Sequence, residues 1–354
     1  MTFLDTASGE PLHPAARDVL LAAHDEGWAD PSRLYGAGRR SRLLLDDARA
    51  RLAACLGARP DEVHLLPSGT ASVRAALHGA LGRSRRGSHA VVTAVEHSAV
   101  LDAVPSATRV PVSSTGRVAV AGVLAAVRDD TAVVSVQHAN HEVGTVQPVA
   151  EVAAALPEGV VLHVDACASV GRLPVPAVPL LSASARKWGG PAGVGVLVVR
   201  KGTRWRSPWP EGPPNVPAAV AAAVALEAVL AAREEEAARQ AALTGWLRRE
   251  VAARVPDTEV VGEPDERLPH VVTFSCLYVD GEALVTELDR RGFAVNSGSS
   301  CASATGHPSH VLEAMGVLTH GNVRVSVGRS TTRAELEAFV AAVVDVVAGV
   351  RSRL

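Results

Sequence analysis

The chain has 354 residues, with 35 Lys plus Arg against 37 Asp plus Glu and a formal net charge of −2. That near-balance gives no bulk attraction to nucleic acid or to an anionic membrane surface. The length allows one large domain and a smaller one.

The N-terminal MTFLDTASGE has neither the basic nor the apolar region of a secretory signal. Every apolar run is interrupted by Pro, Gly or charge before it could span a bilayer. Four cysteines, Cys55, Cys167, Cys276 and Cys301, lie far apart without a CxxC pair. They predict a reduced, cytoplasmic setting with no metal site and no disulfide framework. A helix is expected over 46–58, DDARARLAACLGA, closed by glycine and Pro-Asp punctuation. Short β-rich runs then alternate with helical segments: VHLLP at 63–67, AVVTAV at 90–95, TAVVSVQ at 131–137, VVLHVDA at 160–166, LLSAS at 180–184 and VGVLVV at 194–199. Strands apolar on both faces and separated by helices predict a largely parallel α/β sheet with both faces covered.

After the proline-rich stretch 208–217 comes an Ala-rich helical stretch over 218–255, read as an amphipathic connector. A second unit follows: strand HVVTFSCLYV, helix GEALVTELDRRG, strand NVRVSVG and a closing helix from about 332. These patterns predict a large domain over 1–235 and a small α+β domain over 236–354, with the extreme N-terminal segment packed on the small one.

The chemistry starts from an oddity of composition. Of the 35 basic residues only Lys187 and Lys201 are lysines. Lysine can lose its proton and condense with an aldehyde; arginine stays charged and cannot. Lys201 follows Arg200 after VGVLVV and reads as a solvated strand end, whereas Lys187 lies in the small-residue loop SASARKWGGPAGVG. Asp165 closes a strand 22 residues earlier, at the strand end where open α/β sheets bind ligands. Pro67-Ser68-Gly69-Thr70-Ala71-Ser72 follows a strand and opens a helix, offering N–H groups and dipole to a phosphate. His97, in AVEHSAVLDA, reads either as structural or as a ring-stacking imidazole that moves protons. A lysine, a carboxylate for the pyridine nitrogen, a phosphate cradle and a group over the ring are what pyridoxal phosphate (PLP) requires. Candidates for all four are present.

The blocks FLDTASGEPLHP, HLLPSGTAS, VEHSAVLDA, VQHANHEVGTVQPV, HVDACASVGRLP, SASARKWGGPAGVG, VNSGSSCAS and VRVSVGRSTT occur in an order that resembles the cysteine desulfurase family. These are class V aminotransferase-like, PLP-dependent transferases of fold type I. The resemblance implies a homodimer that converts L-cysteine to L-alanine and passes sulfur to an iron–sulfur scaffold or a sulfur carrier. It implies that Lys187 forms the imine, that Asp165 faces the pyridine nitrogen and that His97 stacks on the ring. Thr70, Ala71 and Ser184 fall where the family binds phosphate, and Arg324 and Asn140 where it binds substrate. Cys301 matches the nucleophile that accepts sulfur as a persulfide. It lies in NSGSSCASATGHPS, which predicts an exposed, mobile loop, whereas the other three cysteines read as buried small hydrophobes.

Several positions depart from the family's pattern. His141 stands for the second asparagine of Asn-Asn-Glu and could supply a hydrogen bond to the ring oxygen in its place. Ala168 stands for a glutamine three residues after the aspartate. Arg186 stands for the histidine before the lysine, where it could meet the phosphate. EGPPNVPAAV abbreviates a stretch that reaches the partner subunit's site, with Asn215 near a threonine's place. These departures keep open another PLP reaction (selenocysteine lyase, C–S β-lyase or class V aminotransferase) and, last, a degenerate binding partner.

Overall fold

The computed structural model describes residues 1–210, 212–297 and 308–352. The chain opens with a short strand, β1 (Thr2–Phe3), and two helices, α1 (Pro14–Glu26) and α2 (Gly36–Cys55). Seven strands follow: β2 (Val63–Leu66), β3 (His89–Thr93), β4 (Thr108–Val110), β5 (Thr131–Gln137), β6 (Val161–Asp165), β7 (Leu180–Ser184) and β8 (Gly195–Val199). They form one sheet in the order β2-β8-β7-β6-β5-β3-β4. β8 runs antiparallel to both its neighbours, and the other pairings are parallel.

Strand alternation decides what covers this sheet. Between the strands run α3 (Gly69–Leu81), α4 (Ser98–Ala103), α5 (Val120–Ala126) and α6 (Val149–Ala155), and α7 (Val216–Ala231) follows β8. Val134 and Val136 of β5 pack with Leu52 of α2 and Leu226 of α7. Val133, one residue out of phase, joins Leu180 and Leu197 against Leu77 of α3 and Val100 of α4 on the opposite face. With both faces covered, the strands read as continuous apolar runs. The edge strands β4 and β9 (Thr258–Val261) escape prediction because three or four partly exposed residues give too little pattern.

α8 (Arg233–Arg254) leaves α7 at a bend of 70°. The single helical stretch expected over 218–255 therefore breaks at Ala232. There the apolar, buried α7 gives way to Glu234, Glu235 and Glu236 in the first turn of α8. Acidic side chains complement a helix N-terminus and favour a fresh start at that point. Beyond it lie β10 (Val271–Cys276), α9 (Gly281–Arg290), β11 (Phe293–Ala294), α10 (His310–Met315), β12 (Asn322–Ser326) and α11 (Arg333–Arg351).

β12, β10 and β9 form an antiparallel sheet, while β11 pairs in parallel with β1. A second core gathers Trp246, Phe274 and Phe339, and Leu4 is buried in it. The first residues of the chain are thereby tied to its last third. Among the described residues, no single helix is long and apolar enough to cross a membrane.

Candidate active site

Strand register builds the first half of the site. β6 and β7 are parallel neighbours, with Asp165 opposite Ser182, so β7 ends two residues later on Ser184 at the same rim. One turn of 3-10 helix, Ala185–Lys187, then carries the lysine. Asp165 is buried, and its Oδ1 accepts a hydrogen bond from the Cys167 N–H at 2.9 Å. Burial first, then the Arg324 and Arg186 charges, push the Lys187 ammonium down to about 8. A lysine so placed is a usable nucleophile near neutral pH.

The N-terminus of α3 closes on this rim. Ser68 caps the helix by accepting from the Ala71 N–H at 3.1 Å, and Thr70 lies exposed in the first turn. A Cβ on Gly69 would come within 2.8 Å of Cys167 Sγ and 2.9 Å of Ser184 Cβ; one on Gly195 would come within 2.1 Å of the Ser68 carbonyl oxygen. Glycine at both places lets a helix N-terminus with its unpaired N–H groups sit against Ser184. Ala71 and Asn215, the N-cap residue of α7, line one cavity of about 460 Å³.

His97 caps α4, its Nδ1 accepting from the Ala99 N–H at 3.0 Å, which leaves Nε2 to carry the proton of the neutral ring. Burial lowers its pKa, Asp165 opposes that, and Lys187 adds to it. The His97 and His141 rings meet edge to face at 4.8 Å. Just before His97, the carboxyl of Glu96 is fully buried and pushed up to about 8 by that burial.

The second half comes from the N-terminal segment and the small sheet. Arg324 of β12 is 3% exposed; its guanidinium donates to Asp5 Oδ1 at 2.8 Å, Ser8 Oγ at 2.7 Å and the His141 carbonyl at 3.0 Å. Lys187 donates to the carbonyl oxygens of Ala7 and Ser8. Arg186 also turns to the Ser8 carbonyl, through Nε at 3.1 Å. Asn140 is fully enclosed: its Oδ1 accepts from the Glu142 and Val143 N–H groups and its Nδ2 donates to the Val95 carbonyl. Cys301 lies outside the described residues.

The structure thus gathers Lys187, Asp165, His97, His141, Ser184 and Arg324, and adds Asp5, Ser8 and Glu96, to which the sequence reading gave no role. The block FLDTASGEPLHP was the available signal for the first two. Ala168, with Lys187, His141 and His270, lines a small cavity of about 10 Å³.

These residues fit PLP. A lysine of lowered pKa and a buried carboxylate share a strand-end rim, a glycine-opened helix N-terminus meets Ser184, and a neutral imidazole stands beside them. Fold and site together define a PLP-dependent enzyme of fold type I. The sequence matches the family described as Aminotransferase class-V over residues 2–211 and 206–339. It is 34% identical to cysteine desulfurase IscS of Dictyoglomus turgidum, over 94% of this chain and 91% of that one. Against cysteine desulfurase IscS 1 of Archaeoglobus fulgidus the identity is 30%, over 100% and 98%. A solved NifS-like protein superposes with a TM-score of 0.91 at 26% identity, covering 98% of this chain and 99% of its own. The chain belongs to the cysteine desulfurase family of the class V aminotransferases.

Proposed function

We propose that this protein is a cytoplasmic, homodimeric cysteine desulfurase that converts L-cysteine to L-alanine and places the sulfur on Cys301. One observation carries the reading: Lys187 and Asp165 stand on one strand-end rim, and Arg324 reaches the same place from the other sheet. PLP, when bound to these residues, supplies an electron sink for the substrate's α-carbon. Lys187, held to about 8, releases and takes back a proton near neutral pH. Arg324 exchanges the Asp5 carboxylate for that of the substrate, a like-for-like partner for its guanidinium. His97 would stand beside the bound ring and hold a proton on Nε2. The Cβ–S bond of cysteine breaks, an S–S bond to the Cys301 sulfur forms, and Cβ gains a hydrogen. The products are alanine and a Cys301 persulfide, from which an iron–sulfur scaffold or carrier protein takes the sulfur.

The cavity beside Ala71 and Asn215, with Trp209 46% exposed on its wall, supports a second copy of the chain at that edge. Ala168 and His141 favour the second reading, another PLP reaction on the same scaffold, because they line the cavity beside Lys187 at positions where the family carries amides. Incubation with PLP and either L-cysteine or L-selenocysteine separates the two. Alanine in step with Cys301 persulfide is the expected result; pyruvate with ammonia, an oxo acid, or turnover only with selenocysteine would overturn it. Cys301→Ala should keep the cofactor's visible absorption and lose sulfide release.

A further inference from the structure

No step of the chemistry above uses the small cavity beside Lys187. Its volume of about 10 Å³ is close to the least that holds one water. His270, just ahead of β10, is 2% exposed, and its Nδ1 has no hydrogen-bond partner among the described residues. The same is true of Nδ1 of His141 on the cavity's other wall. Buried polar atoms ordinarily find a partner, so two residues that each carry one and line the same small cavity point to a shared one. His141 Nε2 lies 3.6 Å from Glu142 Oε1, beyond hydrogen-bond reach but facing a carboxylate; with the ring's proton on that side, Nδ1 is an acceptor.

We propose that this cavity is a one-water site, in which the water donates to Nδ1 of His141 and of His270 and accepts from Lys187. His270 is then a positioning residue for the lysine nitrogen. Resting on the reading of Lys187 as the cofactor-bearing lysine, this adds two groups to the reaction's machinery, His270 and the water. Three polar partners satisfy what a buried water needs. Ala168 makes the room, since a longer side chain on that wall takes the water's volume.

The orientation has a sign. A water whose oxygen faces Lys187 stabilises the protonated nitrogen. It offsets part of the effect of burial, Arg324 and Arg186, as Cys167 and Asp5 also do. His97, His141 and His270 face the lysine as rings whose pKa values burial lowers. Arg172, Arg324 and Arg267 face His270 and help keep it neutral; Arg172 is itself paired with Glu10 at 2.6 Å.

The test is a pH titration of the visible absorption of the PLP-loaded enzyme, which reports the proton on the Lys187 nitrogen, alongside its crystal structure. His270→Phe and, independently, Ala168→Val should lower the titration midpoint by about one unit, a tenfold change in proton affinity. His270→Asn, whose amide can still hold the water, should restore most of it. A water within hydrogen-bond distance of both Nδ1 atoms is expected in the parent enzyme and not in Ala168→Val. Unmoved midpoints in both variants, a shift in His270→Asn as large as in His270→Phe, or no water in the parent structure overturns the proposal. If His270→Phe does not fold, Ala168→Val decides alone. Borohydride reduction and peptide mapping run in parallel. Label away from Lys187 overturns the cofactor reading itself, whereas label on Lys187 with unmoved midpoints overturns only the water site.

Discussion

Asp165, Ser184 and Lys187 stand at the ends of adjacent parallel strands, whereas Asp5, Ser8 and Arg324 meet from opposite ends of the chain. In the first group the register of β6 against β7 sets the spacing, although Lys187 also donates to the Ala7 and Ser8 carbonyls. In the second, Asp5 and Arg324 lie 319 residues apart and meet because Asp5 bridges Ser326 of β12, while β1 pairs with β11 and Leu4 enters the second core. The cofactor half is therefore set mainly by local register. The substrate half depends on two remote segments folding together, so stability and substrate affinity are linked there.

Substitutions can break that division. Lys187→Ala strikes the local half and should lower alanine formation by about 10³-fold or more, given what general acid–base groups contribute. Its visible cofactor band should go with it; a band that persists on another residue refutes the assignment. Leu4→Ala strikes the remote half through packing and should lower unfolding free energy by about 2–5 kcal/mol, read from a denaturant midpoint. If the halves are built as described, KM for cysteine also rises while the bound cofactor stays. Arg324→Ala removes a charged hydrogen-bond donor worth about 1.5–3 kcal/mol, hence a KM raised about 10- to 100-fold with unchanged cofactor content. A fall in kcat alone would move Arg324 out of substrate binding.

A pH-dependent effect concerns Glu96, next to His97, whose Oε2 has no partner among the described residues. Its pKa rises from 4.5 to about 8 on folding, so the folded state binds more protons between those values and stability falls as pH climbs through them. Glu96→Gln removes that loss. The variant should match the parent near pH 4.5 and exceed it increasingly up to about pH 8, measured by denaturation at each pH. Parallel curves would show that the carboxyl is not the source.

The same division explains what could be read from the chain. Lys187 was legible because lysine is rare here and its loop joins two apolar strands; Asp165 was legible because it ends one. Asp5 and Ser8 carry no local pattern that says they will meet Arg324, and the block around them signalled only a family likeness. His270 reads as the polar first residue of a strand, and only the fold sets it on the same cavity as Lys187. Alanine-rich periodicity continued across Ala232, so the bend there was hidden until tertiary packing split the helix. Asn140 likewise reads as a ligand-facing amide, yet its bonds tie the loop to itself and to Val95.

The closeness of Gly69 and Gly195 to their neighbours bears on how such a chain can diverge. Neither contributes a reactive atom, yet one added methyl group at either strikes Cys167 Sγ or the Ser68 carbonyl. In a library of random variants these two sites should tolerate less change than Asn215 or Arg186, although those carry the polar groups. Purifying selection would then be stricter on these two positions, which leave space, than on Asn215 or Arg186.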